Sequence, residues 1–127
     1  MINKKIKWLI YTVSVGLIPI ISRLIAWLVT KKSTVTLLCA SDFIAFGLIL
    51  HISNINEIEH ISSIEQSWKT IQNGISISFI AFYSVLFTLN LIDTNLIDTR
   101  AINYCVIALS FVSFIISYSV YDRVSKI

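Results

Sequence analysis

Residues 7–30 read KWLIYTVSVGLIPIISRLIAWLVT, and this almost uninterrupted apolar stretch decides the fold. It meets the ~20 apolar residues that a helix needs to cross the ~30 Å hydrocarbon core of a bilayer. Trp8 and Trp27 lie near its two ends, where aromatic side chains anchor a helix at the membrane surfaces. The stretch therefore predicts a transmembrane helix, with Pro19 as the site of a kink.

Three further apolar stretches follow, at residues 34–52, 74–92 and 101–121. Hydrophobic residues make up 56% of the 127-residue chain and charged residues 13%, about half the charged share of a soluble domain. This composition argues against a soluble globular protein. We expect an all-α polytopic membrane protein, a single domain over residues 1–127 with four transmembrane helices in a bundle.

The positions of Lys and Arg predict the orientation, because cytoplasmic loops carry an excess of these residues. If the N-terminus is inside, the inner segments hold Lys4, Lys5, Lys7, Lys69, Arg123 and Lys126. The outer loops then hold Lys31, Lys32 and Arg100. This excess of Lys and Arg in the inner segments favours a topology with both termini in the cytoplasm. The short turn at Lys31 and Lys32 predicts that the first two spans form a tight antiparallel hairpin.

Residues 53–73 form the longest stretch outside the predicted spans and would face the cytoplasm. Apolar residues recur there at spacings of three and four, which predicts a short amphipathic helix. Ser62 and Glu65 have the spacing of a capping box at its start. The helix either lies at the lipid headgroups or presents a docking face for a cytoplasmic protein. The residues of this predicted docking face are Ile61, Ile64, Glu65, Trp68 and Ile71.

Two charged residues, Arg23 and Asp42, lie inside the first two predicted spans. Each is about 10–16 Å along its helix from the Lys31–Lys32 turn, so the hairpin brings them to similar depth. They form an interhelical ion pair, or Arg23 extends to the outer membrane surface. A third interpretation is an ion or proton pathway with Asp42 as a titrating site, since charges inside a membrane are usually functional.

Small residues form a stripe on each of the last two spans. Such residues allow helices to approach closely, and their hydroxyl groups can hydrogen-bond across the contact. The stripes predict packing between spans three and four, a subunit interface or a pore lining. The residues are Ala81, Ser84 and Thr88 in one stripe and Ser110, Ser113 and Ser117 in the other.

Motifs for catalysis or metal binding do not stand out. Three glycines are too dispersed for a phosphate loop, and the two cysteines, Cys39 and Cys105, lie within predicted spans. His51 and His60 flank the inner end of span two without converging ligands, and His51 is interpreted as a membrane-surface residue. We expect no enzyme, no cofactor and no metal site. The net charge of +3 is ordinary for a membrane protein and does not predict nucleic-acid binding.

The segments SDFIAFG (residues 41–47) and HISNINE (residues 51–57) resemble the KwaA family, the membrane subunits of the bacterial Kiwa anti-phage system. Chain size and the four-span plan are also similar. The resemblance implies a homo-oligomeric sensor in the bacterial inner membrane that responds to phage attachment or injection. It also implies a cytoplasmic, DNA-binding partner subunit, for which the predicted docking face is the candidate surface.

Three hypotheses for function therefore remain open at the level of sequence. The first is a membrane-embedded sensor and scaffold in a defence complex, as the resemblance implies. The second is an oligomeric ion pore or membrane-depolarising effector, motivated by the two intramembrane charges and the small-residue stripes. The third is an immunity or superinfection-exclusion protein that intercepts an incoming toxin or phage component in the bilayer.

Overall fold

The computed structural model describes residues 3–32, 34–62, 64–92 and 95–126, and every regular element within them is helical. Helix α1 runs continuously over Lys4–Val29, and its segment Leu9–Val13 is π-helical. Helix α2 spans Ala40–Glu59, α3 spans Gln66–Asn90 and α4 spans Thr99–Ser125. The predicted all-helical class is confirmed.

Helices α1, α3 and α4 are long and apolar enough to cross a membrane. Their outer surfaces expose large apolar side chains, among them Leu28, Val29, Phe82 and Phe111. A surface of this kind suits lipid better than water. Helix α2, with 20 residues, is shorter and is not one of the three.

Polar residues fix two of the helix starts. The Asn3 side chain accepts a hydrogen bond from the Ile6 backbone N–H at the start of α1. The Asp98 side chain accepts a hydrogen bond from the Ala101 backbone N–H at the start of α4. Each carboxyl or amide oxygen satisfies a backbone donor that the first helical turn leaves free.

The second predicted span differs from the structure at both ends. Helix α2 begins at Ala40, not at residue 34, because the consecutive β-branched residues at 34–36 disfavour a helix. It then continues to Glu59 through residues predicted to be a loop. The segment between the first two helices is therefore longer than the tight turn that the sequence suggests.

The separate amphipathic helix predicted between spans two and three is absent from the described residues. Helix α3 begins at Gln66, its N-cap is Glu65, and the Glu65 side chain makes no capping hydrogen bond. The predicted capping box with Ser62 is therefore not formed. The amphipathic residues from 66 onward are the first turns of α3, since nothing interrupts the helix before Asn90.

Helix α2 lies at the centre of the fold and packs against α1, α3 and α4, while α1 also packs against α4. Its residues Ile44, Leu50 and Ile58 are almost completely buried. One apolar cluster surrounds Leu50 and Ile58, and a second surrounds Ile44. The three helices that are long and apolar enough to cross a membrane therefore pack around the shortest helix.

Candidate functional site

An ion pair joins α1 to α2. Arg23 Nε donates to Asp42 Oδ2 across 2.5 Å, and the two side chains are 28% and 14% exposed. Asp42 lies in the first turn of α2, where free backbone N–H groups also favour a carboxylate. Because α2 begins at Ala40, Asp42 is nearer to its helix end than the sequence predicts. The pair therefore fixes the ends of two antiparallel helices.

His51 occupies the contact between α2, α3 and α4 and is fully buried, at 0% exposed. Its Nδ1 lies 3.2 Å from Ser76 Oγ and its Nε2 lies 2.8 Å from Ser113 Oγ. The Phe79 ring stacks on the imidazole with centroids 4.8 Å apart. A neutral imidazole suits two hydroxyl partners, since it offers one donor and one acceptor. His51 is thus a core residue, not the surface residue that the sequence suggests.

Tyr83 completes this polar cluster from α3. Its hydroxyl lies 2.7 Å from Ser113 Oγ, so Ser113 serves both His51 and Tyr83. Space for the ring comes from Gly47 on α2, because a Cβ there would lie 2.2 Å from Tyr83 Cζ. The sequence gives no sign of this pairing, since it depends on which helices are neighbours.

Polar positions continue along the contact between α2 and α4. Asn54 follows His51 by three residues and Ser117 follows Ser113 by four, and both are 0% exposed. Their side-chain polar atoms have no hydrogen-bond partner among the described residues. Leaving such atoms unpaired is costly, and buried water is what usually satisfies them.

The serine stripe of α4 is used inside the molecule. Ser110, Ser113 and Ser117 are buried, and Ser110 Oγ donates to the Phe43 carbonyl of α2 at 3.2 Å. The stripe therefore faces mainly α2, whereas the packing interpretation placed it against α3. Ser113 also reaches α3, through the Tyr83 hydroxyl.

The corresponding stripe on α3 faces outward. Ala81, Ser84 and Thr88 are all exposed. The Ser84 hydroxyl donates to the Ile80 carbonyl at 2.8 Å and the Thr88 hydroxyl to the Ser84 carbonyl at 3.0 Å. Two shallow depressions of about 260 and 270 Å³ adjoin these residues. The two predicted stripes therefore do not face each other within one chain.

The predicted docking face is partly occupied by the chain's own residues. Ile61 is buried, and Ile64 and Trp68 pack against the apolar cluster that includes Ile58. The Arg123 guanidinium lies over the Trp68 ring, 4.6 Å from its centroid. Of the five predicted residues, Glu65 and Ile71 remain exposed.

Ion pairs bring the described termini to the same end of the molecule. Lys4 Nζ lies 2.9 Å from Glu57 Oε1 near the end of α2. Lys5 Nζ lies 2.9 Å from Asp122 Oδ1 near the end of α4, and Lys126 Nζ lies 3.1 Å from Asp122 Oδ2. The start of α1 and the end of α4 therefore lie beside the C-terminal half of α2.

The described part of the chain holds no group of three or more His, Cys, Asp or Glu side chains suited to a metal ion. Comparisons with protein-family models, with curated proteins and with solved structures find no match. The described residues form a buried polar cluster between α2, α3 and α4 and leave one face of α3 exposed.

Proposed function

We propose that this chain is a membrane-embedded sensor and scaffold subunit of an anti-phage defence complex, as its resemblance to the KwaA family implies. It acts by binding and assembly, without catalysis. Several copies associate in the bacterial inner membrane, detect phage attachment or injection, and recruit a cytoplasmic DNA-binding effector. The chain itself contacts lipid and protein, not nucleic acid.

The outward face of α3 is the observation that supports the assembly of several copies in this proposal. Ala81, Ser84 and Thr88 present small side chains to the surroundings, and the hydroxyls are already bonded to their own helix. Small residues with adjoining depressions suit a second helix that packs closely. A helix from another copy of the protein, packed on this face, would give a homo-oligomer. The described contacts within one chain leave this face free for such a helix.

In the proposed membrane arrangement, α2 is the fourth crossing helix. Its 20 residues correspond to about 30 Å, the thickness of the hydrocarbon core. Asp42 is paired with Arg23 and Glu57 with Lys4, which lowers the cost of carboxylates near the membrane. The excess of Lys and Arg at the end that carries both termini supports a cytoplasmic location for that end.

The effector is proposed to bind the exposed surface at the cytoplasmic end of the protein. Ile61, Ile64 and Trp68 serve internal packing, so the surface available to a partner is the one near Glu65 and Ile71. An acidic residue beside an exposed isoleucine provides both charge and apolar area for a protein contact.

A copy-number measurement tests the assembly step. The doubly substituted Ala81→Ile, Ser84→Ile chain is purified in detergent and compared with the wild type by native mass spectrometry. If the small residues of α3 form the contact between copies, the bulkier side chains should lower the number of copies in the complex. Ala108→Ile is the matched control, because Ala108 is an exposed alanine on α4. An unchanged copy number in the double variant contradicts this interface.

The partner step needs a separate experiment. An affinity purification from the native host, with mass spectrometry, should recover a stoichiometric cytoplasmic protein. Substituting Glu65→Lys together with Ile71→Asp should abolish this recovery while the copy number stays the same. Recovery that persists in this variant argues against the proposed contact.

An oligomeric ion pathway is the second candidate, and the polar positions between α2 and α4 favour it. The cluster of His51, Ser113 and Tyr83 is followed by the unpaired atoms of Asn54 and Ser117. If the protein conducts ions, liposomes that contain it should show ion or proton flux. The Asn54→Leu substitution should lower this flux. Liposomes that remain tight at all voltages and pH values argue against it.

A further inference from the structure

A groove between α1 and the second half of α2 has one polar and one apolar end. The polar end has a cavity volume of about 490 Å³ and is lined by Lys4, Lys7 and His60, with Glu57 beside them. The apolar end, of about 520 Å³, is lined by Val15, Ile49 and Ile52. The two ends share four residues, namely Tyr11, Thr12, Ser53 and Asn56. They are therefore one continuous groove.

The charge of the polar end favours an anion. Lys4 is paired with Glu57 at 2.9 Å, which leaves Lys7 as the additional cation on the same side of α1. Residues three positions apart on a helix are neighbours, so Lys4 and Lys7 present their ammonium groups together. A single phosphate between them would be held by charge and by hydrogen bonds.

A buried donor also lies at this end of the groove. Trp8 lines it and is only 2% exposed. Its Nε1 has no hydrogen-bond acceptor among the described residues. An indole N–H can only donate, and this nitrogen is buried away from solvent. The two lysines alone therefore set the preference of the groove for a negatively charged group.

The backbone of α1 is irregular at the same place. Residues Leu9–Val13 are π-helical and include Tyr11 and Thr12, which belong to both ends of the groove. Single π-helical turns inside α-helices occur often at functional sites. The extra residue in this turn changes the direction of the side chains that line the groove.

We propose that this groove binds one anionic phospholipid, with the phosphate at Lys4 and Lys7 and an acyl chain along Val15, Ile49 and Ile52. The polar end lies where α1 begins, and the apolar end follows α1 toward its middle. This order matches the order of headgroup and acyl chain in a bilayer, which a soluble phosphate compound would not require. The lipid holds the start of α1 against α2.

Native mass spectrometry of the full chain in detergent tests this site. The protein is titrated with phosphatidylglycerol and, in parallel, with phosphatidylethanolamine of the same acyl chains. We expect tighter binding of phosphatidylglycerol. The Lys7→Gln variant should bind it about fivefold more weakly, the factor for one lysine near an anionic surface. Lys31→Gln removes an exposed lysine outside the groove and should change nothing.

A second pair of variants tests the apolar end of the groove. Val15 and Ile115 are 55% and 66% exposed, and only Val15 lines the groove. Val15→Trp should fill the acyl position and lower phosphatidylglycerol binding, whereas Ile115→Trp should not. Circular dichroism that matches the wild type confirms that each variant is folded.

Three results would overturn the proposal. The first is equal binding of the two phospholipids. The second is equal phosphatidylglycerol binding by the Lys7→Gln and Lys31→Gln variants. The third is glycerol phosphate that binds as tightly as phosphatidylglycerol, because the acyl end of the groove would then contribute nothing.

Discussion

The Trp8 ring of α1 stacks on the Tyr121 ring of α4, with centroids 5.1 Å apart and planes 14° from parallel. Trp8 also contacts Phe114 and Tyr118 and is only 2% exposed. The sequence predicts Trp8 as a membrane-surface anchor, but the structure uses its ring to join the first and last helices.

Replacing Trp8 should therefore destabilise the fold strongly. Trp8→Ala removes a buried aromatic ring, and such changes cost roughly 3–5 kcal/mol. Trp27→Ala is the matched control, because Trp27 is 44% exposed and should cost far less. Unfolding in mixed detergent, followed by circular dichroism, measures both. Similar losses for the two variants would show that Trp8 is not part of a packed core.

Two glycines in neighbouring helices should respond in opposite ways to the same change. Gly47→Ala places a Cβ 2.2 Å from Tyr83 Cζ, and overpacking of this kind costs roughly 1–3 kcal/mol. Gly74 has no neighbouring heavy atom within 4 Å of an added Cβ. Gly74→Ala should be neutral or stabilising by up to about 1 kcal/mol, because alanine is the better helix former. Melting temperatures in one detergent compare them; the prediction fails if Gly47→Ala melts at or above the wild-type temperature.

The helices α1, α3 and α4 were predictable because their apolar stretches are long enough to need a membrane or a core. The start of α2 was not, since hydropathy does not register that residues 34–36 are β-branched. The apolar spacing and the Ser62–Glu65 capping pattern predict a separate helix before the third span, whereas the structure makes the residues from Gln66 onward the first turns of α3. Helix geometry continues through such residues when one side stays apolar.

The contacts of the polar core could not be predicted from the sequence alone. An ion pair between Arg23 and Asp42 is one of the three interpretations that the sequence offers, because neighbouring helices of a hairpin share depth. His51, Ser76 and Ser113 come from three helices and are far apart in the chain. No spacing rule brings them together, since their contact depends on helix rotation. A histidine and several serines within otherwise apolar stretches are the signal that the sequence offers.

Ser113 should be the most sensitive of the serines. Ser113→Ala leaves His51 Nε2 and the Tyr83 hydroxyl without the partner that they share. An unsatisfied buried polar group costs about 1–3 kcal/mol. Ser119→Ala, at an exposed position of the same helix, is the control. Equal stability of the two variants in detergent unfolding would mean that the cluster contributes nothing.

The Arg23–Asp42 pair should show coupling between its two members. Asp42→Asn removes the charge that the guanidinium contacts at 2.5 Å, and hydrogen bonds between charged groups contribute roughly 1.5–3 kcal/mol. Arg23→Gln leaves the Asp42 carboxylate without its cation and should cost a similar amount. The double variant should cost less than the sum of the two single changes, because neither charge is then left alone. A thermodynamic cycle from unfolding in detergent gives the coupling energy. Strictly additive losses would mean that the two residues act independently, and the pair would then not fix the register of α1 against α2.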